Sequence, residues 1–114
     1  MSDVFNKILE AEAEDPEFAR DFAAEAARIE TIDAIINALN DTREDRAMSK
    51  AELARAVGID PSTMRRLLSS QSSNPTLGTV ATIAVALGFR VVLEPLPAHD
   101  CKRLTNPMQA CASL

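Results

Sequence analysis

Residues 49–88 read SKAELARAVGIDPSTMRRLLSSQSSNPTLGTVATIAVALG, and the first half of this stretch decides the fold. Ser49 and Glu52 stand at capping-box spacing, so the serine oxygen accepts from the Glu52 N–H while the Glu52 side chain returns to the Ser49 N–H. Leu53, Ala54 and Val57 then repeat at helical spacing, and Gly58 ends the run where a positive φ costs least. Asp60-Pro61 opens a second helix at once, with a capping carboxylate followed by the residue best suited to the first helical position. Two helices separated by so short a turn cross steeply, and small Ala54 permits the approach. The spacing predicts a helix-turn-helix.

On a wheel of about 100° per residue, the second helix gathers Met64, Leu67 and Leu68 on one face, with Ile59 leading in from the turn. Ser62, Arg65, Arg66 and Ser69 occupy the opposite face. Two guanidinium groups and two small hydroxyls suit the major groove of double-stranded DNA. Arginine grips guanine O6 and N7 with paired bonds, and serine reaches a base edge or a phosphate without bulk. Pro61, Ser62 and Thr63, at the helix start, sit nearest the bases in the usual docking of this motif. An isolated Arg-Arg pair is ordinarily solvated helix surface, but the frame around this one favours DNA contact.

The chain has 114 residues and a net charge of −5, which fits one domain with arms and a modest core. Acidity in a DNA binder is a conflict that the charge distribution resolves. Residues 1–30 carry −6 and residues 31–48 carry −2, whereas residues 49–88 carry +2 and the remainder +1. A lone module at +2 holds phosphate weakly, and two copies on one duplex make up the deficit. A homodimer is therefore expected. The acid-rich stretch Glu10–Glu25 reads either as a solvated helix face or as a surface for a basic protein.

Ser2–Glu14 has the pattern of a short amphipathic helix with Val4, Phe5, Ile8 and Leu9 on one side. Asp15-Pro16 is a fresh helix start, and Phe18, Phe22, Ala26, Ile29, Ile32, Ile36 and Leu39 continue at helical spacing. A long helix is predicted from Pro16 to about Asn40 or slightly beyond, its last part packing as the first helix of the core. Residues 41–49, DTREDRAMS, read as a polar connection. Beyond Gly88, the run Phe89, Arg90, Val91, Val92, Leu93 and Glu94, closed by Pro95 and Pro97, reads as one short β-strand. With no second strand in the chain, its edges call for antiparallel pairing with a twin subunit or another protein; the alternative is an arm packed on its own core. His99–Leu114 shows no periodicity and reads as a flexible tail.

The expected fold is all-α: a five-helix-type helix-turn-helix DNA-binding domain with an N-terminal helical extension and one short C-terminal β-strand. Its parts are an extension over 1–40, a core over 41–88, a strand for intermolecular pairing over 89–97 and a tail over 98–114. The core must draw on Leu, Ile, Val and Ala with Phe18, Phe22 and Phe89. No segment reaches the roughly 20 apolar residues that span a bilayer, and no export signal is visible. Cys101, Cys111 and His99 lack metal-ligand spacing, and reduced thiols in a cytoplasmic protein are expected. One histidine assembles no Ser/His/Asp or Cys/His constellation, and no Gly-rich phosphate loop is present. Neither catalysis nor a cofactor is expected.

Residues 49–88 resemble the Xre (phage-repressor) helix-turn-helix superfamily, whose pattern runs L-A-x-x-x-G-(I/V)-x-x-x-(S/T)-(I/V/M)-x-R-(L/I) and then N-P-(S/T)-L-x-T-(L/V)-x-x-(I/L)-A-x-A-L-G. Leu53, Ala54, Gly58, Ile59, Thr63, Met64, Arg66 and Leu67 supply the first part. Asn74, Pro75, Thr76, Leu77, Thr79, Val80, Ile83, Ala84, Ala86, Leu87 and Gly88 supply the second. The resemblance implies phosphate contacts from Lys50 and Thr63 and base contacts from Pro61, Ser62 and Arg66, with Arg65 and Ser69 on the same face. Lys50 stands where many members carry glutamine.

The D-P-E-F-A-R run ahead of the motif and the ending N-P-T-L-x-T-V-x-x-I-A-x-A-L-G-F-R-V-V-L-E-P look similar to HigA-type antitoxins of type II toxin–antitoxin modules. That likeness implies a cytoplasmic homodimer that neutralises a RelE/HigB-like toxin and represses its own operon. A stand-alone phage-type regulator shares every motif residue and is the alternative. A third reading keeps the motif only as a scaffold that binds no DNA.

Overall fold

Every regular element among the described residues, 15–69 and 74–109 of this computed structural model, is a helix. In chain order they are α1 (Pro16–Asp45), α2 (Lys50–Val57), α3 (Pro61–Ser69), α4 (Leu77–Ala86) and α5 (Ala98–Gln109). The expected helix over Ser2–Glu14 lies outside the described residues. The chain divides into two compact units, Glu30–Leu93 and Met1–Ile29 with Glu94–Leu114.

Asp15 opens α1, its carboxylate accepting the Glu17 N–H at 3.0 Å and its carbonyl the Ala19 N–H at 3.0 Å. The helix extends past Asn40 by more than one turn. It runs on through Asp45, so residues 41–45 are helical and the connection to α2 is short. Charged residues are at home on the exposed side of a helix, and composition alone does not end one. What ends it is a backbone motif: the Met48 N–H returns to the Arg43 carbonyl at 3.1 Å and the Ala47 N–H to the Glu44 carbonyl at 2.9 Å. Ala47 takes the left-handed position, φ 55°, that usually falls to glycine.

The unit Glu30–Leu93 holds the core. Leu39 of α1, Leu53 and Ala54 of α2, Met64 and Leu68 of α3, and Val80, Ile83, Ala84 and Leu87 of α4 and its end form one buried cluster. Met48, Val57, Ile59, Leu67 and Ala86 pack around it. Among the described residues no aromatic ring joins this cluster: Phe89 is 53% exposed, and the unbranched Met64 fills the centre instead. A threonine cap starts α4, with the Thr79 N–H on Thr76 Oγ1 at 3.1 Å. Its end mirrors that of α1, the Phe89 N–H bonding the Ala84 carbonyl at 2.8 Å and the Gly88 N–H the Val85 carbonyl at 2.9 Å.

The sequence leads one to expect a β-strand over Phe89–Glu94; the structure has none there. Residues 89–97 carry no regular secondary structure. A strand exists only when its backbone groups enter a ladder, and no described segment of the chain offers one.

In the other unit, Phe18 and Phe22 stack with ring centroids 6.2 Å apart, Phe22 remaining 50% exposed, and Glu25 pairs with Arg28. Of the segment read as a flexible tail, residues 99–109 lie in α5, and residues 110–114 lie outside the described residues. The first turn of α5 is closed by the Cys101 N–H on the Pro97 carbonyl at 2.8 Å, and Asp100 pairs with Arg103 at 3.2 Å. Pro107 hid this helix from a reading by pattern. It falls in the last turn, where it removes only the bond to the Arg103 carbonyl.

Candidate nucleic-acid interface

Both halves of the capping box form at the start of α2: the Glu52 N–H donates to Ser49 Oγ at 3.0 Å and the Ser49 N–H to Glu52 Oε1 at 2.9 Å. These bonds hold the Glu52 carboxyl below the usual range, the Ser49 backbone N–H contributing most. Lys50 follows the cap, half-buried. Gly58 ends the helix at φ 74°, and the Ile59 N–H turns back to the Ala54 carbonyl at 2.9 Å. This is the tight turn that the α2–α3 crossing needs.

Asp60 then caps α3. One carboxylate oxygen accepts the Ser62 N–H at 3.0 Å, the Thr63 N–H at 3.4 Å and the Ser62 hydroxyl. The Ser62 hydroxyl is the main cause that holds the Asp60 carboxyl below its usual range, the two backbone donors adding to it. The carboxylate thereby satisfies the positive end of α3 from inside the protein.

Met64 and Leu68 are buried and Leu67 partly so, and this seam turns the other side of α3 outward. Pro61, Ser62, Arg65, Arg66 and Ser69 are exposed, with Thr63 half-buried among them. Arg66 Nη2 lies 3.4 Å from Thr63 Oγ1, and the Ser69 hydroxyl lies 3.4 Å from the Arg66 carbonyl, both long contacts on the same face. The structure thus brings the sequence-predicted α3 residues onto one outward surface. Lys50 stands apart from them, at the start of α2.

Residues 38–91 match the family model of the Cro/C1-type HTH DNA-binding domain. The match begins in the last turns of α1, takes in α2, α3 and α4, and ends in the segment after Gly88. No curated protein and no solved structure matches the chain. Within the matched span, α2, the turn at Gly58 and α3 form the helix-turn-helix, and Arg65 and Arg66 lie on its outward side.

The six residues Phe89, Arg90, Val91, Val92, Leu93 and Glu94 are all exposed, Leu93 completely. Phe89, Arg90 and Val91 line an open apolar groove of about 400 Å³ with Ile32, Ile35 and Leu77. No residue of α2 or α3 contributes to it. No described helix is long and apolar enough to cross a membrane. Among the described residues no cluster of three His, Cys, Asp or Glu side chains is placed to hold a metal.

Reading by pattern missed two polar residues inside this unit, Asn40 and Arg43. Asn40 donates to the Leu68 carbonyl at the end of α3, and Arg43 Nη1 donates to the Met48 carbonyl at 2.8 Å. A signal existed: Asn40 is one turn beyond Ile36, so the buried stripe of α1 continues in polar side chains that need partners.

Proposed function

We propose that the chain is a non-catalytic, sequence-specific transcriptional regulator that sets α3 into the major groove of double-stranded operator DNA as a homodimer. One observation carries this reading. Arg65 and Arg66 are held outward by the buried Met64/Leu68 seam on a helix whose start is capped internally, leaving the arginines for a ligand. Lys50 and Thr63 serve as phosphate contacts, and Pro61, Ser62, Arg66 and Ser69 as the groove-facing set. The +2 charge of residues 49–88 explains why two copies are needed.

Selection of bound duplexes from a random pool tests this directly. The expected outcome is one enriched, two-fold-related sequence whose binding weakens as salt rises. Arg65→Ala with Arg66→Ala then abolishes the enrichment. Equal, salt-insensitive binding by that variant excludes groove reading and leaves the motif as a scaffold.

A second reading adds a duty to the first: the chain is a HigA-like antitoxin that neutralises a RelE/HigB-like toxin and represses its own operon in the cytoplasm. The exposed run Phe89–Leu93 favours it, because DNA binding through α3 has no use for so much open apolar surface. Co-expression with the adjacent reading frame tests it. Copurification of a small basic ribonuclease, inhibited in the complex, supports an antitoxin. A neighbour that neither copurifies nor is inhibited leaves the stand-alone phage-type regulator.

A further inference from the structure

Asn40 and Arg43 form a polar relay that joins two parts of the DNA-binding unit. The Asn40 amide nitrogen donates to the Leu68 carbonyl, while its oxygen accepts from Arg43 Nη2 at 3.5 Å. Arg43 Nη1 continues the relay to the Met48 carbonyl at 2.8 Å. The Arg43 side chain is only 12% exposed, its Nε is buried without a partner, and Nη2 lies 3.6 Å from the Glu44 carboxylate at the surface. Burying most of a guanidinium for so few bonds is a poor route to stability, and an apolar side chain of similar volume would fill the space more favourably.

The two carbonyls at the ends of the relay suggest another purpose. Met48 lies next to the Ser49 cap and two residues before Lys50. Leu68 lies in the last turn of α3, between Arg66 and Ser69. The apolar seam under α3 sets its distance from the core but is non-directional, so on its own it tolerates roll and slide of the helix. A directional bond at the end of the helix restricts both.

We infer that Asn40 is a positioning residue for base readout, locking the roll of α3 relative to the start of α2. This inference rests on the DNA-binding reading above. Phosphate contacts hold a protein on the duplex without regard to sequence, whereas base contacts discriminate and require side chains held to within about 0.5 Å. Slack in the relay therefore erodes discrimination and spares non-specific affinity.

The test compares the full-length wild type with Asn40→Leu, which keeps size and charge and removes both polar groups. Binding is measured to the duplex the wild type selects and to a scrambled duplex of the same length and composition, across a salt series, with thermal melting alongside. The ratio of the two affinities is expected to fall about tenfold or more, while scrambled-duplex affinity and salt slope stay within about twofold. Arg43→Lys, which keeps the charge but loses the planar fork, is expected to lower the ratio as well and serves if Asn40→Leu does not fold. An unchanged ratio in a folded variant overturns the inference alone. So does parallel loss on both duplexes with a lowered melting temperature, which marks a purely structural role. A wild type that selects no duplex overturns the DNA-binding reading and the inference with it.

Discussion

Arg46 lies over the Phe89 ring, its guanidinium carbon 5.5 Å from the centroid, and its Nη2 comes within 3.0 Å of where a Cβ on Gly88 would stand. The end of α1 and the end of α4 thus meet at a glycine with φ 87°. Gly58, with φ 74°, has open space around its would-be Cβ. The two glycines separate backbone strain from crowding. Gly58→Ala is expected to cost about 1–2 kcal/mol from the left-handed backbone alone. Gly88→Ala adds displacement of Arg46 from Phe89, a further loss of about 0.5 kcal/mol. In an Arg46→Ala background the two alanine substitutions become equal, as urea denaturation of the four variants would reveal.

Ala47 takes the same left-handed position at the end of α1 that Gly88 takes at the end of α4, but with a Cβ. Ala47→Gly relieves that strain and loses some unfolded-chain restriction, for a net gain of about 0.5–1 kcal/mol. A rise in the urea midpoint at unchanged slope verifies it. A fall means the closing turn is stabilised by something other than its dihedral angles.

What was legible in the chain follows from the range of the forces involved. Ser49 with Glu52, Gly58, and Asp60-Pro61 announce themselves because each works on backbone groups within three residues. The outward set on α3 was legible for a similar reason, since helical spacing separates Arg65 and Arg66 from Met64 and Leu68. Asn40 and Leu68 are 28 residues apart, and no local pattern pairs them. The run Phe89–Glu94 misled because β-branched residues report suitability for packing in a sheet and not a backbone state of their own. Ser62 was legible as an exposed hydroxyl, but not as one already engaged by Asp60.

Met64 is fully buried at the centre of the core and directly beneath the proposed reading face. Met64→Leu conserves volume and is expected to cost less than about 1.5 kcal/mol, with DNA selection retained. Met64→Ala leaves a cavity worth about 2–5 kcal/mol, a large share of the stability of a small domain. Its DNA binding should therefore disappear on warming before that of the wild type. Equal melting of the two variants would mean that the site collapses without loss.

Glu52 and Asp60 make the stability of the helix-turn-helix depend on pH in a defined direction. Both carboxyls titrate below their ordinary values of about 4.3 and 3.9, Glu52 through its bonds to Ser49 and Asp60 through those to Ser62 and Thr63. A carboxyl lowered in the folded state binds protons more readily when the chain unfolds. Its contribution is complete above the unfolded value and disappears as pH falls through the folded one. Wild-type stability should therefore be level from pH 7 to about 5 and decline below that. Glu52→Gln with Asp60→Asn keeps side chains able to cap both helices but removes the two titrations. Urea midpoints at several pH values between 7 and 3 should show the double variant declining less than the wild type, so that the two curves converge in acid. Parallel curves would show that the caps act through hydrogen-bond geometry alone, with no contribution from their charge.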